Sequence, residues 1–370
     1  MDGYQNPHRN PKIIIVGAGP AGSAAAIWCA KFGYHIVIVE SAKFPRNRPG
    51  ETLHPGVEPL LEELGVKEDI RAAKFIRHSG IWTRWNIGGR EDDKNNNDWK
   101  LITFGEDEKG PWLGYQAWRA TLDSILLQRA QKCGVCVLQP CHALDVILDY
   151  NRKVIGIKTT CGNLLADFVI DATGGIHWLA RRLKLVIEKH SAPLFAFYGY
   201  AKGDCPSRDE APAIVLTPEG WTWTAKIQKH LYQWTQLYFN TSVHNKIMIP
   251  CDWLPDEFRG LKPTKSIHGA DVTWRRVVQP AGSGYFIVGD AAAVLDPASS
   301  HGVLKGIMSG MKAAHAIIRI TKDRFPNEIA SKNYNEWITE WFLYDVQKLE
   351  KFYSQHRPSQ IDFDKYWHTY

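Results

Sequence analysis

The chain has 370 residues, 44% of them hydrophobic, enough to bury a large core as two domains or as one domain carrying an insertion. Lysine and arginine number 45 against 39 acids, and this excess of +6 is spread along the chain rather than gathered in a block, so no nucleic-acid partner follows from it. Residues Met1–Pro11 are polar, no run of about eighteen apolar residues occurs, and the seven cysteines are odd in number. The expectation is therefore a soluble, cytoplasmic, non-exported protein with no membrane span, no disulfide framework and reduced thiols.

Taken in chain order, Ile13-Ile14-Ile15-Val16 is a β-branched run suited to a parallel strand buried on both faces. It runs into Gly17-Ala18-Gly19-Pro20-Ala21-Gly22. The first glycine permits a tight turn, the second lets the backbone approach a pyrophosphate, and the third lets the next helix pack closely. That helix is predicted over Ser23–Phe32 and ends at Gly33, and the strand Ile36–Val39 follows. Glu40 closes it about twenty residues after the glycines, where a carboxylate accepts from ribose hydroxyls. The set reads as a dinucleotide site, with FAD and NAD undecided at this point.

Further along, Cys133-x-x-Cys136 lacks the second pair or histidines that a metal would need. Gly134 reads as a helix stop before the strand Val135–Leu138, so no metal site is expected. Phe168-Val169-Ile170-Asp171-Ala172-Thr173-Gly174-Gly175 is a strand ending in a small-residue turn, with Ala180–Leu183 beyond it. The stretches 81–113 and 194–273 lose the alternating αβ rhythm and carry alternating aromatic runs, which predict a mostly antiparallel sheet. Within the first, Glu91–Asp98 reads as a solvated loop. Tyr285–Val288 is another buried strand, ending in Gly289-Asp290; Asp296–Val303 then leads into a helix over Leu304–Ile320. Helical spacing of Ile329, Tyr334, Trp337, Trp341, Phe342 and Leu349 predicts a last helix over Asn327–His356 that packs on the body or meets a protein partner. Fifteen tryptophans, many outside the glycine-rich segments, imply an aromatic second layer.

Together these segments resemble the FAD-dependent aromatic hydroxylase and halogenase superfamily. The resemblance implies an α/β fold: a Rossmann-type FAD-binding domain from 1–80, 114–193 and 274–325, an inserted mostly antiparallel β-sheet substrate domain from 81–113 and 194–273, and a C-terminal helical segment, 326–370. It implies non-covalent FAD on Gly17, Gly19, Pro20, Ala21, Gly22 and Glu40. Arg48, Glu51 and Thr52, in Arg48–Pro55, correspond to the family's segment that passes the flavin, and Arg119 to an arginine that contacts FAD. Gly174 lies in a segment that packs on the nucleotide half and is linked in some members with pyridine-nucleotide use. Asp290 corresponds to the aspartate that bonds the cofactor's hydroxyls, and Pro297, Gly302 and Val303 lie beside the isoalloxazine, where a helix N-terminus favours negative charge.

The same resemblance implies a reduced flavin that activates oxygen, with O2 and an external reductant as co-substrates, supplied by NAD(P)H or a separate flavin reductase. His301 and His54 are the candidate proton carriers, each with the alternative role of a histidine satisfied by backbone bonds. Gly220-Trp221-Thr222-Trp223 is similar to the Trp-x-Trp-x-Ile-Pro signature of tryptophan halogenases, but Ala225 and Lys226 replace Ile-Pro. Lys74, eight residues before Trp82, stands loosely where those enzymes keep a catalytic lysine, with a solvated helix residue as the alternative. The wording of Asp296–Gly310 and the compact length resemble GoxB- and LodB-type flavoproteins, which mature cysteine tryptophylquinone enzymes. The expectation is hydroxylation of a tryptophan inside an oxidase precursor; a hydroxylase or halogenase of a free aromatic compound, a flavoprotein chaperone and a geranylgeranyl-type reductase are the alternatives.

Overall fold

Five parallel strands form the base of the molecule in the computed structural model, which describes residues 10–85, 99–217, 220–239, 250, 252–264 and 266–355. They are β1 (Lys12–Val16), β2 (His35–Val39), β3 (Cys136–Leu138), β4 (Phe168–Asp171) and β5 (Tyr285–Ile287), in the order β3-β2-β1-β4-β5, with Ala281–Gly282 antiparallel at the edge. Ile13, Ile14 and Ile15 are all fully buried, so both faces of β1 are covered, as its unbroken β-branched run requires. Helix α1 (Pro20–Lys31) follows β1 and begins three residues before the predicted start, with Pro20 in its first turn, where a missing N–H costs nothing. Gly33, at φ +83°, turns the chain out of it.

Three further helices matter for the site: α2 (Arg119–Lys132), α3 (Gly302–Lys322) and α4 (Asn327–Gln355). Helices α1 and α3 cross with almost no side chain between them, since a Cβ on Gly310 would lie 2.2 Å from the Ala21 carbonyl oxygen. Small residues on both helices thus bring the two helix N-termini to one place. Helix α4 buries Tyr334, Ile338, Phe342 and Leu349, while Tyr334 Oη donates to the Ile287 carbonyl at 2.9 Å and ties the helix to the edge of β5. Ile329 departs from the expected packing stripe: it is 47% exposed, because it falls on the outer side of the first turn.

Above the parallel sheet lies a second sheet in the order Lys262–Pro263, Phe195–Lys202, Leu231–Tyr238, Gly220–Gln228, Ala213–Thr217, Gly80–Trp85, Lys100–Thr103. His268–Asp271 pairs with Phe195–Tyr198 beside it. Every pairing is antiparallel except Ala213–Thr217 with Gly80–Trp85. Cross-strand register aligns Tyr198, Thr235, Trp223 and Ile214 in one row, so their side chains share a face. The expected loop Glu91–Asp98 and the residues from His356 onward lie outside the described residues. Among the described residues no helix is long and apolar enough to cross a membrane, and no group of three metal-ligating side chains occurs. Cys133 closes α2 and Cys136 opens β3, on either side of Gly134, the expected helix stop.

Candidate cofactor and substrate site

A cavity of about 1190 Å³ runs between the two sheets, above the roughly 300–1,000 Å³ usual for a site that takes one small molecule. Its nucleotide end is built on the β1–α1 turn. Gly17 sits at φ +104°, where a Cβ would lie 2.4 Å from the Ala172 carbonyl oxygen, and Gly19, Pro20 and Ala21 line the cavity with the free amides of α1 behind them. Gly22 corrects one expectation: it does not line the cavity. A Cβ there would be 2.0 Å from the Gly17 carbonyl oxygen, so this glycine seats α1 on the turn, the packing role expected of the third glycine.

Glu40 is buried at the cavity edge, its carboxylate accepting from the Ala18 amide at 2.8 Å and the Ala42 amide at 2.9 Å. Each oxygen keeps capacity for a ribose hydroxyl. Arg46, which sequence reasoning missed, lies 3.4 Å from Glu40 and 3.5 Å from Asp123, with a terminal nitrogen 3.1 Å from where a Gly19 Cβ would be. Burial lowers the affinity of this guanidinium for its proton, opposed by Glu40 and Asp123. Its Nε and the indole Nε1 of Trp178 are buried with no hydrogen-bond partner among the described residues, and both residues line the cavity. Donors held in this way beside a glycine turn suit the phosphates and nucleotide of FAD.

The middle of the cavity joins three distant segments. Gly50, in the Arg48–Thr52 stretch, donates its amide to Gln233 Oε1 at 2.6 Å, which fastens that stretch beneath the second sheet. Arg119 pairs with Glu51 at 3.0 Å and with Asp123 at 2.8 Å. Burial alone would lower Arg119, but Asp123 and Glu51 outweigh it and the net displacement is upward. Glu51 is pushed up to about 7 by burial, against the pull of Arg119, and burial likewise raises Asp290. Thr52 is buried, and its hydroxyl accepts from Gln116 Nε2 at 2.9 Å. Arg48, Glu51, Thr52, Arg119, Gly174 and Asp290 all line the cavity. His177 holds the last two segments together, its Nδ1 donating to the Ala291 carbonyl at 2.7 Å and its Nε2 accepting from Arg275 at 2.8 Å. Burial depresses this imidazole to about 4, which keeps Nε2 free to accept.

At the far end, the Asp296 carboxylate accepts from the Ala298 amide at 2.9 Å and shapes the loop that carries Pro297 to α3. Pro297, Gly302 and Val303 line the cavity, and the first amides of α3 have no partner within the helix. His301 also lines it, at the N-cap position, with burial lowering its imidazole. His54 does not: its Nδ1 accepts from the Gly56 amide at 3.1 Å, and its ring stands 5.7 Å from that of His301. His54 therefore supports His301 from behind. Lys74 is a second correction, because it sits just past a short helix at φ +51°, exposed and away from the cavity. The lysine lining the cavity is Lys305, one turn into α3, paired with Asp345 of α4 at 2.5 Å and 4.1 Å from the Trp341 ring centroid.

The opposite wall is aromatic. Trp221 and Trp223 face the cavity, and Tyr198 stacks on His268 at 5.3 Å. Trp221 Nε1 donates to Tyr353 Oη at 3.1 Å, and Tyr353 donates to Asp296 at 2.7 Å, so a residue near the end of α4 joins the sheet to the loop beside the ring site. The Ala225 and Lys226 that replace Ile-Pro do not reach the cavity; Lys226 pairs with Asp209 at 3.0 Å.

The sequence matches the tryptophan halogenase family over residues 12–106 and 95–369. It is 28% identical over 367 residues to a tryptophan 2-halogenase of Chondromyces crocatus, covering 92% of this chain and 67% of that one. A menaquinone reductase of Mycobacterium tuberculosis is 28% identical over 322 residues, 82% of this chain and 76% of the other. A 1H-pyrrole-2-carbonyl-[peptidyl-carrier protein] chlorinase of Pseudomonas fluorescens is 26% identical over 360 residues, 88% and 79% of the two chains. The structure of the flavin-dependent halogenase CmlS superposes with a TM-score of 0.83 at 25% identity, over 98% of this chain and 68% of that one. A glycine turn, a ribose-facing acid and a helix N-terminus are gathered around one long cavity, the family match spans nearly the whole described chain, and the protein is an FAD-dependent oxidoreductase of the tryptophan halogenase family.

Proposed function

We propose that this protein hydroxylates the indole of a tryptophan side chain carried in a polypeptide, the precursor of a cysteine tryptophylquinone oxidase. The observation that carries the reading is the aromatic wall of Tyr198, Trp221 and Trp223 facing the loop of Pro297 and His301 across the cavity. An electron-rich planar ring is held by such a wall through stacking and edge contacts while water is displaced. Bound FAD supplies the two-electron activation of oxygen. Of the O2 molecule, one atom enters a ring carbon–hydrogen bond and the other leaves as water, with two electrons from an external reductant.

The chain's own residues orient and move protons. Neutral His301 is placed to take or return a proton at the ring end, and Asp296, Tyr353 and Trp221 hold the loop that bears it. Met308 on α3 and Leu343 and Tyr344 on α4 are exposed. The carrier-protein chlorinase among the relatives supports the idea that a protein-tethered substrate suits this scaffold.

Halogenation is the second reading, favoured by Lys305 in the cavity and by the halogenases among the relatives. Both are tested by supplying reduced, FAD-loaded protein with oxygen and either the oxidase precursor or free tryptophan, with and without chloride and bromide, and mapping the products by peptide mass. Oxygen on the precursor independent of halide supports hydroxylation. Halide incorporation, or modification of free tryptophan alone, overturns it. Modification that persists when FAD binding is lost favours the chaperone alternative.

A further inference from the structure

The cysteines at the adenosine end form a site that the flavin chemistry does not use. Cys141 follows β3 and Cys161 lies in the turn between the strands Val154–Thr159 and Gly162–Leu165. The antiparallel hairpin pairs Ala143 with Thr159, and Thr160 donates its amide to the His142 carbonyl at 3.0 Å while the His142 amide donates to Thr160 Oγ1 at 2.9 Å. Cys141 and Cys161 are the next residues beyond this contact, Cys161 in the turn just past the last paired residues. Segments held together in this way bring neighbouring Cα atoms near the roughly 4.4–6.8 Å that a disulfide bridges. The two thiols interact, and Thr160 Oγ1 donates to Cys141 Sγ at 3.9 Å.

Their surroundings differ in a useful way. Cys161 is exposed, whereas Cys141 is covered, lines the cavity and donates its amide to the Glu40 carbonyl at 2.8 Å. Glu40 is the acid placed for the ribose, so Cys141 is one backbone bond from the nucleotide site. Burial works against ionisation of the Cys141 thiol, but hydrogen bonds from Cys161, Thr159 and Thr160 outweigh it and favour the thiolate there.

We propose that Cys141 and Cys161 form a peroxide-responsive dithiol whose oxidation to a disulfide loosens the adenosine end of the FAD site. The Cys141 thiolate attacks hydrogen peroxide, giving a sulfenic acid and releasing hydroxide, which is protonated to water. The Cys161 sulfur then displaces the sulfenic oxygen, also as water, and the S–S bond forms. Two thiols thus lose two electrons and two protons, and one peroxide becomes two waters. Drawing the sulfurs together to about 2.05 Å moves Cys141 and strains its bond to the Glu40 carbonyl. Weakening one such bond corresponds to a roughly fivefold rise in the dissociation constant for FAD.

The test treats the full-length, FAD-loaded protein with hydrogen peroxide, blocks the remaining thiols, and maps linked peptides under non-reducing conditions, with FAD release followed by fluorescence. The expected result is a Cys141–Cys161 linked pair with faster FAD release, both reversed by dithiothreitol and both absent in Cys161→Ser. Cys161 lies off the cavity, so this variant should bind FAD normally when reduced. Two alkylatable thiols after treatment, or oxidation of Cys161 to a sulfinic acid without linkage, would overturn the proposal. A disulfide that forms without altering FAD release would refute its coupling to the nucleotide site.

Discussion

Replacing Tyr353 by phenylalanine isolates the part of the site that helix α4 contributes. The change removes the bond donated to Asp296 at 2.7 Å and the Tyr353 oxygen that accepts from the Trp221 indole at 3.1 Å, leaving that indole the Asp296 carboxylate as its acceptor. A hydrogen bond to a charged acceptor contributes about 1.5–3 kcal/mol. The variant should lose about 1.5–3 kcal/mol of unfolding free energy at pH 8. The loss should depend on pH. Burial lifts Asp296 from the ordinary 3.8 to about 6, so the folded state binds more protons than the unfolded one between those values, and stability falls as pH rises through that window. Tyr353 opposes that lift, and its removal sends Asp296 further up and extends the window upward. At pH 5 Asp296 is mostly protonated, the lost bond is a neutral one, and the penalty should shrink. Urea denaturation of wild type and Tyr353→Phe at pH 5 and pH 8 measures both effects. A penalty below about 0.5 kcal/mol, or one equal at the two pH values, would show that α4 does not hold the loop through this bond.

Three other substitutions test separate parts of the account. Gly19→Val should abolish the yellow colour of the purified protein, because its methyls fill the space that the turn leaves beside Arg46; FAD at normal occupancy would contradict the assignment. His301→Ala should keep FAD and slow turnover by roughly a hundredfold, the lower range for a lost proton carrier, and an unchanged rate would assign His301 to structure. Since burial lowers its imidazole, wild-type turnover should fall as pH drops through that lowered value and the acid limb should vanish in the variant. Lys305→Arg preserves the pair with Asp345 and should leave an oxygenated product with less than about a tenfold change in rate, whereas a step that needs the lysine amine itself would be lost.

How much of this was legible in the sequence follows the range of the interactions. The β1–α1 glycines, Glu40, the Gly289-Asp290 turn and the Asp296–Val303 loop announce themselves, because a turn that admits phosphate or flavin needs consecutive residues with particular backbone freedom. The strand Ile13–Val16 was legible for the same local reason. Arg46 was not: it carries no motif, and only the return of the chain after β2 lays it against Gly19. The contacts of Tyr353 with Asp296 and of Lys305 with Asp345 span 57 and 40 positions and depend on where α4 docks. Lys74 misled because counting back from Trp82 ignores the left-handed turn that carries it outward. Gly22 showed the converse, a motif position used wholly for helix packing.

The central claim is that this FAD-dependent oxidoreductase oxygenates a tryptophan held in a protein. The most direct measurement is the intact and peptide mass of a cysteine tryptophylquinone oxidase precursor produced in cells with this chain, without it, and with the Gly19→Val variant. The account predicts one added oxygen atom on one precursor tryptophan in the presence of the wild-type chain alone. A precursor unchanged beside FAD-loaded protein, or one carrying halogen in place of oxygen, would contradict it.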